Sequence, residues 1–213
     1  MTTKLSDLRR DYSGQPLLEC RDTEDPFQLF AKWWSDAESA QISDINACAL
    51  ATASKEGLPQ VRMVLLKCWS STGFDFFTNF NSAKGRHLTA NPKAEMLFWW
   101  SDISRQVRVS GLASRLTRIE NETYFRSRPR ESQLAALASD QSSVLSSRKA
   151  MQDAMIALQA KYAGLDIPCP EHWGGFRIIP ERIEFWQGQP NRVHDRLFFV
   201  MSEGQWKRSR LFP

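Results

Sequence analysis

The sequence predicts an α+β fold that is mainly β, with a closed or nearly closed antiparallel barrel and peripheral helices. Two observations carry this prediction. Short apolar or alternating runs follow one another between residues 47 and 116, separated by turn sequences such as Lys55-Glu56-Gly57, and a barrel is the simplest use of so many consecutive hairpins. A block at residues 118–163, rich in helix-forming Ala, Leu, Glu, Gln and Arg, interrupts the strands before they return near the C-terminus.

An amphipathic helix is predicted as the first element. Asp25 suits its N-cap and Pro26 its first helical position. Apolar side chains then recur at three-to-four spacing from Phe27 to Trp34, so the helix is expected to run to about Gln41.

The later elements follow from alternation and turn residues. A short helix is predicted from Ser82 to Asn91, ended by Asn91-Pro92, and Pro129 is expected to divide residues 118–163 into two or three helices by starting one of them at its N1 position. Strands are predicted at residues 47–54, 60–69, 74–79, 94–100, 105–116, 175–179, 183–187, 196–201 and 205–210.

Composition indicates one domain of ordinary size. The 213 residues are 42% hydrophobic and contain no linker or repeat, so residues 1–213 are expected to form a single domain with a flexible N-terminal segment at residues 1–24. The net charge of +4 suits small anionic ligands and does not require nucleic acid. Four dispersed cysteines and the lack of a signal sequence or a bilayer-length apolar run predict a soluble, cytoplasmic protein without membrane association.

Several kinds of site are excluded by motif. The three histidines do not have metal-ligand spacing, so no metal site is predicted. The chain also has no G-x-S-x-G elbow, no G-x-G-x-x-G fingerprint and no P-loop. A phosphorylated ligand would therefore have to be held by side chains.

Two groups of residues have the chemistry to do this. Arg62 and Lys67 bracket one predicted strand, while Thr78, Ser82 and Lys84 lie where a strand ends and a helix begins, a place that favours an anion. The alternative for these residues is a solvated barrel rim.

The second group is Tyr124, Arg128 and Ser132, spaced four residues apart. Pro129 prevents one continuous helix, so the three are expected to meet at an elbow, with Ser132 in the first turn of the second helix and a phosphate in front of it. A capping serine beside a surface arginine is the alternative.

A third group lies near the C-terminus. Arg192, His194 and Arg196 alternate, and on an extended strand they would point to one face. Three cationic groups on one face repel one another unless a carboxylate or an anionic ligand compensates them. Trp186 precedes this group in the sequence. The alternative to a role for Trp186 in the site is ordinary packing in the protein core.

Eight sequence blocks point to one family. They are R-M-V-L-L-K (62–67), F-F-T-N (76–79), R-Q-V-R-V-S-G (105–111), Y-F-R-S-R-P-R-E-S-Q (124–133), Q-S-S (141–143), W-G-G-F-R (173–177), E-F-W-Q-G-Q (184–189) and N-R-V-H-D-R (191–196). With the terminal R-L-F-P, they strongly resemble the pyridoxine/pyridoxamine 5′-phosphate oxidase family. The resemblance runs in register from about Leu8 to the C-terminus.

The resemblance implies an FMN-binding split β-barrel and a homodimer with FMN in clefts between subunits. It implies that the substrates are O2 and either pyridoxamine or pyridoxine 5′-phosphate, and that the product is pyridoxal 5′-phosphate. Arg192 and His194 are then expected to orient the substrate and to assist proton removal.

The resemblance also assigns the binding residues. On the first side of the cleft, FMN is expected to contact Arg62, Met63, Val64, Leu65, Leu66, Lys67, Phe77, Thr78 and Lys84. Across the cleft, the expected FMN contacts are Gln106, Gln141, Ser142, Trp186 and Arg196. The expected substrate contacts are Arg9, Arg10, Asp11, Tyr12, Lys67, Tyr124, Arg128, Ser132, Arg192, Val193 and His194, of which the N-terminal four belong to a lid.

One position departs from the family pattern. Members usually read S-R-K where this chain has Ser82-Ala83-Lys84, so an arginine expected at the FMN phosphate is missing. Arg86, on a neighbouring face of the same predicted helix, is the candidate to replace it. The alternatives to the main function are a phenazine-biosynthesis oxidase or flavin reductase of the same fold, and a non-enzymatic binder of phosphate ligands or nucleic acid.

Overall fold

A computed structural model describes Tyr12, Gly14, Pro16, Leu17 and residues 24–213. The helices are α1 (Pro26–Ser39), α2 (Ala83–Ala90), α3 (Arg118–Ser127), α4 (Arg130–Ala138) and α5 (Arg148–Lys161). The strands are β1 (Ala47–Ala53), β2 (Pro59–Leu65), β3 (Cys68–Ser70), β4 (Gly73–Asn79), β5 (Lys93–Trp100), β6 (Arg105–Arg115), β7 (Trp173–Gln187), β8 (Asp195–Ser202) and β9 (Gln205–Arg210).

Within the described residues the strands follow the order β2-β1-β5-β6-β7-β4-β3, and β8 pairs with both β7 and β9.

By contacts the chain divides into two units. Unit 1 comprises the described residues up to Ala49 together with Glu95–Ser110 and Pro180–Pro213, and unit 2 comprises Leu50–Ala94 and Gly111–Ile179. A single-domain organisation stays a prediction.

Unit 1 has an aromatic core beneath α1. The helix begins as predicted, because the Asp25 carboxylate accepts from the Phe27 N–H and Pro26 occupies the first turn. Its apolar stripe places Phe30 5.5 Å from the Phe98 ring and Trp33 5.2 Å from the Phe185 ring.

Unit 2 contains a smaller core between α3, α4 and the start of β7. Phe125 and Leu134 are fully buried there, with Trp173 beside them. Thr117 and Glu120 form a capping box that begins α3. These contacts fix the elbow between α3 and α4, at which Arg128 and Pro129 lie.

Three predicted boundaries were wrong. Residues 60–69 are not one strand, because Leu66 turns into the core and the Lys67 N–H donates to the Asp75 carbonyl, which separates β2 from β3. Residues 175–187 form one strand despite Pro180, which lies after the segment paired with β4 and before the segment paired with β8. Pro129 is the N-cap of α4 and not its first helical residue.

Candidate functional site

Unit 2 contains a cavity of about 630 Å³ between β2, β4 and the α3–α4 elbow. Its lining brings together Tyr124, Arg128 and Ser132, which their spacing predicted would meet, and Lys67, which the resemblance assigned to the same phosphate. Ser132 lies in the first turn of α4, as predicted, and its N–H donates to the Pro129 carbonyl. None of the described lining residues is acidic, so the cavity has three cationic side chains, Lys67, Lys84 and Arg128, and no counter-charge.

Arg128 has an unusual environment in this cavity. Its guanidinium carbon lies 4.6 Å from the centre of the Trp173 ring, and its NH1 atom is buried without a hydrogen-bond partner among the described residues. Burial also lowers the pKa of Arg128. A buried, unpaired guanidinium nitrogen is costly unless a ligand satisfies it, so this atom is best explained by an anionic ligand.

Aromatic stacking holds the wall around this arginine. Phe77 stacks on Tyr124 with ring centres 3.9 Å apart and on Trp173 at 5.3 Å. Gln133 donates from Nε2 to the Arg128 carbonyl and so fixes the backbone of the elbow. Sequence reasoning did not include Trp173 among the site residues, although the W-G-G-F-R block contains it.

A second cavity, of about 540 Å³, lies beside the first and is lined by Arg62, Ala83, Lys84, Gln141 and Ser142 among others. Lys84 Nζ donates to Gln141 Oε1 at 2.9 Å and to Thr78 Oγ1 at 3.1 Å. Burial, followed by repulsion from Arg62, lowers the pKa of Lys84 to about 8. No acidic side chain is among the described residues that line this cavity either.

The expectation that Gln141 and Ser142 lie across the cleft from Lys84 was wrong. The Thr78 hydroxyl donates to Gln141 Oε1 at 3.1 Å, and the Ala83 N–H donates to Ser142 Oγ at 3.2 Å. Both residues therefore lie on the Lys84 side, because the segment between α4 and α5 returns to the N-terminus of α2. Arg86 does not take the place of the missing arginine, since its guanidinium donates to the Asn81 carbonyl.

Strand β1 holds the Arg62 side chain of this group. Its guanidinium donates to Thr52 Oγ1 at 2.7 Å and to the Leu50 carbonyl at 3.1 Å. Its own strand, β2, exposes an apolar row, in which Val61 is 67% and Met63 64% exposed. Val64, Leu65, Lys67, Phe77 and Thr78 line the first cavity, whereas Leu66 is buried and does not line either cavity among the described residues.

The remaining predicted residues belong to unit 1. Trp186 lies opposite Arg196 in the β7–β8 register, and the Trp186 and His194 rings are 4.6 Å apart. Tyr12 packs edge-on against both rings, and a Cβ on Gly188 would lie 2.8 Å from Tyr12 side-chain atoms, so a larger residue there would require Tyr12 to shift. Gln106 lies on β6, whereas Arg9, Arg10 and Asp11 lie outside the described residues.

The predicted alternation of Arg192, His194 and Arg196 on one strand was wrong. Arg192 ends a short 3-10 helix with a positive φ of 61°, Val193 follows it, and β8 begins only at Asp195. His194 Nδ1 accepts from the Gln189 N–H at 3.1 Å. Burial, followed by the charge of Arg192, lowers the pKa of His194.

Two family profiles match the chain. One is described as pyridoxamine 5′-phosphate oxidase and covers residues 35–162. The chain belongs to this family. The second profile, described as the pyridoxine 5′-phosphate oxidase C-terminal dimerisation region, covers residues 173–213 and includes the part of unit 1 that carries Trp186, His194 and Arg196.

Relatives within the family align over their whole length. A protein of Thermosynechococcus vestitus called pyridoxine/pyridoxamine 5′-phosphate oxidase is 47% identical over 99% of this chain and 100% of its own. The protein of that name from Pseudomonas entomophila is 45% identical over 100% of both chains.

Solved structures establish the fold. PhzG from Burkholderia lata, in complex with tetrahydrophenazine-1-carboxylic acid, superposes with a TM-score of 0.89 at 30% identity, covering 94% of this chain and 100% of its own. A pyridoxamine 5′-phosphate oxidase-related, FMN-binding protein from Nostoc punctiforme has a TM-score of 0.70 at 14% identity, over 89% and 98%. The fold is the predicted one: α+β, mainly β, an antiparallel split barrel with peripheral helices. None of the helices in the described part has the length and apolar character needed to cross a membrane.

Proposed function

We propose that this chain is a pyridoxal 5′-phosphate synthase. It oxidises pyridoxamine or pyridoxine 5′-phosphate with O2 and FMN, releasing hydrogen peroxide and, from the amine, ammonia. The observation that carries the proposal is the buried, unpaired Arg128 NH1 in a cavity shared with Lys67, Tyr124 and Ser132. A phosphate ester supplies the negative charge and the acceptor oxygens that this set lacks.

The second cavity fits the other phosphate, that of FMN. Lys84 and Arg62 are cationic and repel one another, Gln141 and Ser142 provide polar side chains beside them, and the Thr78 hydroxyl accepts from Lys84. The apolar row on β2 suits the flat ring system that follows the phosphate. Bound FMN would supply the acceptor for a hydride and the route by which its electrons reach O2.

The chain's own residues mainly orient the substrate. Lys67 and Arg128 hold its phosphate, at a distance from the reacting carbon, with hydrogen bonds from Tyr124 and Ser132. These contacts are equal in the ground and transition states, so they contribute to affinity more than to turnover.

His194 is better suited to donate a hydrogen bond than to remove a proton. Because Nδ1 accepts from the Gln189 N–H, the neutral ring carries its proton on Nε2. The lowered pKa keeps this neutral form present at neutral pH. Arg192 adds a fixed positive charge two residues away, so the two residues orient the substrate and stabilise negative charge on it.

We propose that the active form is a homodimer with FMN between the subunits and a cytoplasmic location. The C-terminal profile is that of a dimerisation region. Exposed Val61, Met63 and Leu65 on β2 add an apolar surface that a second copy would cover.

A purified sample tests the function in two steps. Its visible absorption spectrum should show oxidised flavin, and addition of pyridoxamine 5′-phosphate in air should give pyridoxal 5′-phosphate and hydrogen peroxide in equal amounts. Absence of flavin, even after added FMN, would favour a non-enzymatic phosphate binder.

The structural likeness to the Burkholderia lata protein makes a phenazine-type oxidase the second candidate. Its ligand carries a carboxylic acid and not a phosphate, so it would leave much of the Lys67 and Arg128 charge uncompensated. This alternative would be supported if the protein oxidised a reduced phenazine carboxylic acid with its flavin but did not turn over pyridoxamine or pyridoxine 5′-phosphate.

A further inference from the structure

Four charged side chains of alternating sign form a row across unit 1. Arg196 Nε on β8 donates to Glu184 Oε1 on β7 at 2.8 Å, and Glu184 Oε2 lies 3.4 Å from Arg108 NH1 on β6. Arg108 Nε in turn donates to Glu95 Oε1 on β5 at 2.6 Å. We call Glu95, Arg108, Glu184 and Arg196 the charge row.

The row is partly buried and is held by further hydrogen bonds. Glu184 is only 6% exposed, and Ser110 donates to the free oxygen of Glu95 at 2.9 Å. Burial favours the neutral form of Glu95, but bonds from Arg108 and Ser110 leave its pKa below the ordinary value. The bond to Glu95 raises the pKa of Arg108. Both ends of this pair are therefore charged at neutral pH.

Arg196 is the end of the row, and the family resemblance assigns it to the FMN contacts. It lies opposite Trp186 in the register of β7 and β8. Its Nε is held by Glu184 and its NH1 by the Phe212 carbonyl at 2.9 Å. Two of its three guanidinium nitrogens therefore have partners in the described structure, which fixes the orientation of the group.

Each inner member of the row is shared between two neighbours of opposite charge. Glu184 divides its carboxylate between Arg196 and Arg108, and Arg108 divides its guanidinium between Glu184 and Glu95. A change at Glu95 or Arg108 therefore alters how much of the Arg196 charge Glu184 neutralises. Interactions between partly buried charges persist over such distances because solvent screens them incompletely.

We propose that Glu95 and Arg108 are positioning residues that set, through Glu184, the positive charge that Arg196 presents to the flavin. The inference rests on the proposed function, since it takes FMN as the group beside Arg196. Positive charge near a flavin stabilises its reduced, anionic form. The row would therefore raise or lower the reduction potential of the flavin.

Two substitutions that break the same ion pair separate this role from a structural one. Arg108→Gln removes a positive charge and should make reduction of bound FMN less favourable, whereas Glu95→Gln removes a negative charge and should make it more favourable. We expect the equilibrium constant for reduction of bound FMN to change about threefold in each direction. For a two-electron couple this corresponds to a shift of about 14 mV in the midpoint potential. A purely structural pair would lose the same contact in both variants and would not give opposite signs.

The experiment measures the midpoint potential of FMN bound to the purified protein against a reference dye. Lys207→Gln and Glu203→Gln make the same charge changes on the β8–β9 hairpin, away from the row, and should leave the potential unchanged. Arg108→Lys keeps the charge and should stay near wild type, which provides a second variant if Arg108→Gln fails to fold.

The possible results are distinct. Potentials that shift in the same direction in both variants, or that do not move, overturn the inference while the proposed function stands. If the wild-type protein takes up no FMN when the apoprotein is titrated, the proposed function fails and the inference fails with it. Opposite shifts with unchanged control variants support the charge row.

Discussion

The side-chain oxygen of Gln141 lies 2.9 Å from the Lys84 ammonium, although 57 residues separate the two in the chain. The same oxygen accepts from the Thr78 hydroxyl at 3.1 Å, so one neutral amide is the main partner of a half-buried cation. An amide stabilises an ammonium less than an anion does. Burial, followed by repulsion from Arg62, lowers the pKa of Lys84 to about 8, and a bound phosphate would raise it.

FMN affinity is expected to fall as the pH rises through about 8. Below that pH Lys84 is already protonated and binding takes up no proton. Above it, the phosphate must first recruit a proton to Lys84, so affinity declines until the pH passes the pKa of the complex. Fluorescence titrations of the apoprotein on either side of this pKa measure the effect, with Lys149→Gln as the charge control. A Lys84→Gln variant that retains the same pH dependence would contradict the assignment.

Arg128→Ala is expected to weaken substrate affinity with little change in turnover at saturation. Loss of a charge-assisted contact to a remote phosphate costs about 1.5–3 kcal/mol, which is about tenfold to a hundredfold in KM. Because Arg128 NH1 is buried and unpaired, the free variant should be no less stable than the wild type. Steady-state kinetics and thermal unfolding measure the two effects. A collapsed turnover number with an unchanged KM would place Arg128 at the reacting atoms instead.

The sequence predicted the α3–α4 elbow because its evidence was local. Spacing and a proline indicated an elbow joining Tyr124, Arg128 and Ser132, with a capping serine beside a surface arginine as the alternative, and the structure lines one cavity with all three. The prediction for Arg192 and His194 was wrong because it assumed an extended backbone. Alternation predicts a shared face only where the backbone is extended, and positive φ angles at Asn191 and Arg192 break that condition before β8 begins.

Contacts between residues that are far apart in the sequence could not be predicted from local sequence patterns. Nothing near Gln141 indicates that its segment returns to Lys84, so the side of the cleft could not be predicted from the sequence. The charge row was partly visible, since Gln106, Arg108 and Ser110 alternate on one strand and must share a face. Their partners Glu95 and Glu184 come from two other strands, which only the strand order brings together.

Arg192→Ala and His194→Ala are expected to reduce turnover by on the order of a hundredfold while leaving folding intact, since both residues act on the substrate. His194→Gln keeps a side-chain hydrogen-bond donor and should lose less turnover than His194→Ala. Single-turnover reduction of bound FMN, with circular dichroism as the folding control, makes the comparison. Equal losses in the two His194 variants would show that the Nε2 donor is not what matters.

The protein is expected to sediment as a dimer at all concentrations that can be measured. Val61→Glu places a charge in the exposed apolar row of β2 and should favour the monomer, because burying an unpaired carboxylate is costly. Ile119→Glu makes the same change at an exposed apolar residue of α3 and serves as the matched variant. A wild-type monomer that retains bound FMN would refute the proposed assembly.

The missing arginine at Ala83 is expected to leave FMN more weakly held than the family pattern implies. Ala83 lines the cavity with Arg62 and Lys84, and its N–H is already bonded to Ser142 Oγ. Arg86 offers no replacement, because its guanidinium donates to the Asn81 carbonyl and so stabilises the turn before α2. The cationic side chains that line this cavity in the described structure are therefore Arg62 and Lys84.

Ala83→Arg should tighten FMN binding without changing turnover at saturating FMN. A charge-assisted, bidentate contact to the phosphate contributes about 1.5–3 kcal/mol, or about tenfold to a hundredfold in Kd. Ala83→Gln adds a side chain without the charge and should give little of this gain, while Arg86→Ala should leave Kd near wild type. Titration of each apoprotein with FMN decides the matter. Equal dissociation constants for the wild type and Ala83→Arg, with a loss in Arg86→Ala, would show that Arg86 leaves Asn81 and binds the phosphate when FMN is present.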